Sequence, residues 1–191
     1  KNAESKLISQ MIAIAMGVAL SVLLKSFVFV PLPLGGFLNF TDVFIVLYSM
    51  FFGPWIGGAV GALSGLLVDI ILGYGFYAPF TFFIKLIEGL VVGYFFMRFP
   101  KKIRFIAPFI GGIVMAGLYI LPDFVLLQNW IAALTNFAFN LIQGVIGASL
   151  GNIGTAVAPH SLRPVLAFCN APLTTAPAPS LTPDASRAHA A

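Results

Sequence analysis

Charge is what this chain has least of. Ten Lys or Arg and six Asp or Glu make up 8% of the 191 residues, where a soluble domain carries about 25%. Hydrophobic residues fill 60% of the sequence, with 20 phenylalanines among them, and a water-soluble domain of this size has too little interior to hide them. A water-soluble enzyme or nucleic-acid binder is therefore excluded. The formal charge of +4 sits in short clusters that read as membrane topology. A single cysteine, Cys169, excludes an internal disulfide framework and any multi-cysteine metal site. Both histidines, His160 and His189, lie beyond the last apolar segment. The sequence holds no G-x-x-x-x-G-K-S/T, so ATP binding of the P-loop kind is excluded. The apolar region shows no H-E-x-x-H, no carboxylate dyad and no Ser-His arrangement, so no residue set argues for catalysis, and no cofactor or metal is expected. Residues 1–8 have no small-residue cleavage site, and the first apolar segment is expected to be retained.

What is present is a succession of apolar stretches, each near the roughly 20 residues that a bilayer-crossing helix requires. The breaks between them predict helices over 9–27, 40–53, 55–72, 80–97, 105–122 and 130–157. Pro31, Pro33, Gly35 and Gly36 mark the first loop and Gly53-Pro54 a tight turn. Gly73, Gly75 and Pro79 bracket the third connection, Pro100 the fourth, and Pro122-Asp123 the start of the fifth. The second helix is too short to cross a full bilayer. The expected fold is an all-α membrane protein, a six-transmembrane-helix bundle spanning 1–160. Residues 161–191 form a Pro/Ala-rich tail that cannot bury enough surface to order itself. Lys1, Lys6, Arg98, Lys101, Lys102, Arg104 and Arg163 fall on one face, which puts both termini in the cytoplasm. Asp42, Asp69 and Asp123 fall at the opposite helix ends.

Polar groups in lipid are expensive unless they face a cavity or a partner. In the sixth segment Asn136, Asn140 and Gln143 stand at steps of four and three, on one helix face. Lys85 and Glu88, three apart, share a face of the fourth, and Asp69 ends the third. Two readings compete: these groups converge on a ligand, or Lys85 and Glu88 neutralise each other while the amides join helices. Tyr74, Phe76, Tyr77 and Phe80 flank one loop, and Tyr119 and Trp130 flank another, either as an interfacial belt or as stacking surfaces for a heteroaromatic ligand. Small residues recur at steps of four in Ala15/Ala19, Gly57/Gly61/Gly65, Gly89/Gly93 and Gly147/Gly151, a spacing that lets helices approach closely. In the first helix the same row suits either internal packing or a partner protein.

Several motifs carry a family likeness. L-N-F-T-D-V at 38–43, F-G-P-W-I-G-G-A-V-G-A at 52–62 and G-L-L-V-D at 65–69 are followed by P-F-T-F-F-I-K-L-I-E-G at 79–89 and N-x-x-Q-G at 140–144. Together they resemble the S components of energy-coupling factor (ECF) vitamin transporters, nearest the branch with hydroxymethylpyrimidine, pyridoxine and riboflavin members. The resemblance covers most of residues 10–155 and leaves out the tail. It implies a six-helix bundle in a bacterial cytoplasmic membrane that binds a vitamin near the outer face, under loops after helices 1, 3 and 5. It also implies association with a transmembrane coupling subunit and two cytoplasmic ATPases, bodily reorientation in the bilayer, and docking through Ala15 and Ala19. The candidate substrate-binding set is Asn39, Asp69, Tyr74, Tyr77, Lys85, Glu88, Trp130, Asn136, Asn140 and Gln143. Hydroxymethylpyrimidine is the first expected ligand, pyridoxine the second and riboflavin the third. The competing classes are a stand-alone ion-coupled carrier, with Glu88 as its proton site, and a membrane enzyme or assembly factor without a ligand.

Overall fold

The structure, a computed structural model, describes residues 2–27, 30–31, 37–38 and 41–157. The loop residue Asn39 and the tail 161–191 lie outside the described residues. Helix α1 runs Asn2–Phe27. It starts well before the apolar stretch because Ala3, Glu4, Lys6 and Leu7 favour helix regardless of polarity. Two short strands, β1 (Val30–Pro31) and β2 (Phe37–Leu38), pair antiparallel with Val30 opposite Leu38. Then come α2 (Asp42–Phe52), α3 (Pro54–Ile71), α4 (Ala78–Arg98), a 3-10 turn at Arg104–Ile106, α5 (Ala107–Leu127) and α6 (Trp130–Val157). Five of these helices are long and apolar enough to cross a membrane, and α2 is a shorter apolar helix.

The turns follow local chemistry. Between α2 and α3, Gly53 adopts φ 88°, a conformation that favours glycine, and Pro54 starts the next helix where a missing N–H does no harm. The connection after α5 differs from the expected one. Pro122 does not begin a loop; it lies inside α5, which continues to Leu127. A backbone in lipid must satisfy its polar groups internally, so losing one ladder bond at the proline is cheaper than unwinding. The real break is Gln128, with φ 51° and its N–H donated to the Phe124 carbonyl. Asn129 then caps α6, its Oδ1 accepting from the N–H groups of Ile131 (2.9 Å) and Ala132 (3.2 Å). Tyr119 accordingly stands two turns inside α5 and not beside the loop.

In the bundle α3 packs along α4 and α5 along α6, with α4 against α5; α2 wedges against α3, α4 and α6, and α1 lies on α3. The glycine rows make these approaches possible. A Cβ at Gly61 would stand 2.6 Å from the Lys85 carbonyl oxygen, and one at Gly89 2.6 Å from the Gly57 backbone. Gly112 and Gly144 meet backbone to backbone between α5 and α6. Around them Val46, Met50 and Val92 form an apolar core with Phe96 against it. Large apolar side chains such as Trp55, Ile71, Phe83, Leu121 and Ile153 point outward, while Asp42, Asp69, Lys85, Glu88, Asp123 and Asn136 are buried. This inverts the usual distribution of a water-soluble protein and fits a bilayer as the surrounding medium.

Candidate substrate-binding site

The short α2 shapes the interior. Eleven residues span only about 16 Å at a rise of ~1.5 Å per residue, so its first residue, Asp42, begins deep in the bundle. There it meets Lys85, seven residues into α4, and Gln143, halfway down α6. The Lys85 ammonium donates to Asp42 Oδ1 and, at 2.9 Å, to Glu88 Oε2. The Gln143 amide donates to the other Asp42 oxygen at 2.7 Å. The N-terminus of α2 adds its dipole to the stabilisation of the Asp42 carboxylate. Lys85, Asp42 and Glu88 are all at most 1% exposed. Chain separation conceals in the sequence what the fold achieves: two carboxylates, 46 residues apart, share one ammonium. The partners of Lys85 are Asp42 and Glu88, and Gln143 joins α6 to α2.

A second tier lies nearer the end of the bundle where α3 and α5 finish. Tyr119 reaches inward from α5, its hydroxyl 3.2 Å from Thr81 Oγ1 and its ring 5.8 Å below the Lys85 ammonium. Asp69 lies against Thr81, within electrostatic reach of Lys25 and Lys85. On the other side the Tyr77 hydroxyl donates to Asp123 Oδ1 at 3.1 Å, and Asn136 adjoins the same carboxylate. Tyr77 belongs to the α3–α4 connection; burial first, and the Asp123 charge second, push its phenol well above the ordinary value, so it remains an O–H donor. Tyr74 meets the Tyr77 ring edge-on at 6.5 Å, and Trp130 stacks on Phe124 at 4.1 Å. Trp130 is 58% exposed and so sits at the rim. Asn140 is buried one turn below Asn136.

Three buried acceptor atoms in this tier have no hydrogen-bond partner among the described residues: Asp69 Oδ2, Asp123 Oδ2 and Asn136 Oδ1. An unsatisfied buried polar atom is costly in a folded protein, and in lipid water cannot relieve it. Such atoms are what a binding site presents before its ligand arrives.

The sequence therefore located Asp69, Tyr74, Tyr77, Lys85, Glu88, Asn136, Asn140 and Gln143 in one half of the interior, with Trp130 at its edge. It missed Asp42, Asp123, Thr81 and Tyr119 as members. Asp42 and Asp123 had a legible signal, being two of only four acidic residues between positions 7 and 157. Tyr119 had one as an aromatic suited either to a membrane belt or to stacking, and Thr81 had none. On α1, Ala13 and Gly17 face the bundle, while Ala15 and Ala19 are exposed beside Met11, Ile12, Met16 and Leu20.

The chain is 36% identical over 124 residues to an uncharacterized protein in a gap 3'region of Pyrococcus woesei, an alignment covering 64% of this chain and 82% of that protein. Residues 5–156, the whole bundle, match the family described as ECF-type riboflavin transporter, S component. With its buried polar interior inside a multi-pass helical bundle, the chain belongs to that family of ECF transporter S components.

Proposed function

We propose that this protein is the high-affinity substrate-binding subunit of an ATP-driven vitamin uptake system in the cytoplasmic membrane, with no catalytic activity of its own. Residues 1–160 form the binding domain, both termini face the cytoplasm, and the Pro/Ala-rich extension 161–191 takes no part in binding. A transmembrane coupling subunit and two ATPases supply the energy. The coupling subunit docks on the exposed Ala15/Ala19 row of α1. Ala15→Trp with Ala19→Trp should abolish co-purification with that subunit and leave ligand affinity unchanged; an intact complex overturns the docking assignment.

One observation carries the ligand class: the three orphaned acceptors, Asp69 Oδ2, Asp123 Oδ2 and Asn136 Oδ1, beside aromatic side chains. They call for a small heteroaromatic compound rich in hydrogen-bond donors. Hydroxymethylpyrimidine, with an exocyclic amine and a hydroxyl on one ring, fits best, and pyridoxine with its three hydroxyls comes second. Riboflavin, which the family's description names, offers ribityl hydroxyls but needs more room. Asn140 and the Asn136 amide would meet the ring edge, and Tyr74, Tyr77 and Trp130 would flank its faces. Asn39 would close the site from the first loop. Lys85, Glu88 and Gln143 would form the floor.

Calorimetric titration of the purified protein with the three vitamins tests this reading. Binding of one of them below micromolar concentration is the expected result, and no binding by any of them overturns it. The ion-coupled carrier alternative requires Glu88 to release and take up a proton, whereas Glu88 Oε2 is engaged by Lys85. Uptake into proteoliposomes lacking the ATPases would favour the carrier.

A further inference from the structure

The charge inventory of the interior is complete from the sequence. Between residues 7 and 157, outside the basic cluster 98–104, the charged side chains are Lys25, Asp42, Asp69, Lys85, Glu88 and Asp123. All six are at most 3% exposed. Two ammonium groups thus stand against four carboxyl groups in a buried region. Lys85 is shared by Asp42 and Glu88. Lys25 and Asp69 feel each other's charge.

Asp123 has a different environment. Its neighbours among the described residues are neutral, the Tyr77 hydroxyl and the Asn136 amide. Residues 28–40, which complete the first loop, contain no Lys, Arg or His that would bring it a cation. Its Oδ2 and the adjacent Asn136 Oδ1 are both buried acceptors without a donor among the described residues. Aromatic side chains adjoin the carboxylate: the Tyr77 hydroxyl is bonded to it, and the Tyr74 ring meets the Tyr77 ring edge-on. A lone carboxylate, a free amide oxygen and ring faces are the elements that bind an organic cation. A metal ion is a poor fit, since among the described residues no three His, Cys, Asp or Glu side chains group as a metal site needs.

We propose that the site selects the positively charged form of a heteroaromatic ligand, N-protonated or N-alkylated, with Asp123 as its counter-ion and the Asn136 carbonyl as second acceptor. The ligand's charge and N–H or C–H edge satisfy two orphaned atoms at once and reduce the interior's negative excess. This rests on the substrate-binding reading above and narrows its ligand class.

The test uses matched pairs of probes on the purified full chain in detergent at pH 8. One pair is 4-amino-5-hydroxymethyl-2-methylpyrimidine and its ring N-methyl salt; the other is 3-hydroxymethylpyridine, which has no ring hydroxyl to ionise, and its N-methyl salt. In at least one pair the cation should bind roughly tenfold tighter than its uncharged partner. Asp123→Asn should bring that ratio close to one. Asn136→Asp, which places a second carboxylate there, should raise it, and decides the matter if Asp123→Asn does not fold. Equal or tighter binding of the uncharged member in both pairs overturns the proposal while leaving the substrate-binding reading intact. A preference for the cation that neither variant changes also overturns it. No binding by any member, with pyridoxine and riboflavin also inert, removes the substrate-binding reading itself.

Discussion

The two halves of the bundle are built on opposite principles. Toward the end that carries Arg98, Lys101, Lys102 and Arg104, helices touch through glycine: Gly89 on the Gly57 backbone and Gly93 on Pro54. The polar contacts described there run to backbone carbonyls, such as the Ser49 hydroxyl donating to the Gly89 carbonyl at 3.0 Å and the Asn152 amide to the Phe105 carbonyl at 3.0 Å. Toward the end that carries Asp69, Asp123 and Trp130, helices are joined by side chains, and some buried oxygens are left without partners. Lipid offers no hydrophobic force to press helices together, so close packing and interhelical hydrogen bonds must do it. The half that uses backbone contact is closely packed. The half that uses polar side chains retains unsatisfied groups, which is what binding requires and stability alone would not.

The sharpest break of this comparison is Gly89→Leu. A side chain there drives into the backbone of Gly57 and Gly58, which cannot yield. We expect no folded, monodisperse protein by size-exclusion chromatography in detergent. Gly117→Leu, on the same kind of apolar helix but with nothing within 4 Å of the new Cβ, should behave as the parent.

Next in size is Lys85→Met. It strands Asp42 and Glu88 without their shared ammonium, and breaking a buried ion pair in this way costs about 3–5 kcal/mol. A marked fall in melting temperature is expected, largely recovered when Asp42→Asn and Glu88→Gln are added. A stable single variant would show that this tier does not hold α2, α4 and α6 together.

Asn140→Ala should act on function and not on folding. Gln143 is bonded to Asp42 and Asn136 to Asp123, so removing either would confuse the two. Losing one ligand hydrogen bond of about 1–1.5 kcal/mol should weaken vitamin binding by roughly tenfold, with little change in the melting curve. Equal losses of binding and stability would mean that this amide serves as helix glue alone. The smallest effect belongs to Trp130→Ala at the rim, about threefold in affinity, because an exposed stacked ring contributes under 1 kcal/mol.

Much of this architecture was legible from apolar run length and from the glycine and proline breaks. The failures are specific. Pro122 was read as a loop because proline ends helices in water, where the freed carbonyl and a new loop are both solvated; in lipid neither is. The Lys85–Glu88 pair was visible from its three-residue spacing, but the second claim on Lys85 comes from Asp42, 43 residues away. Tyr119 resembled a rim aromatic by position, and only the extra turns of α5 carry it inward beneath Lys85.

Composition determined that this chain lives in a membrane and that its few charges are too costly to be incidental, and their order along the sequence placed acidic residues at one set of helix ends. Helix period and charge cost are local quantities, readable residue by residue. Which carboxylates share an ammonium, which acceptors are left open and that Asp123 meets neutral neighbours among the described residues were decided by the depth at which the short α2 starts and by how α4, α5 and α6 rotate against one another. Those are properties of packing between segments far apart in the chain, and no local pattern encodes them.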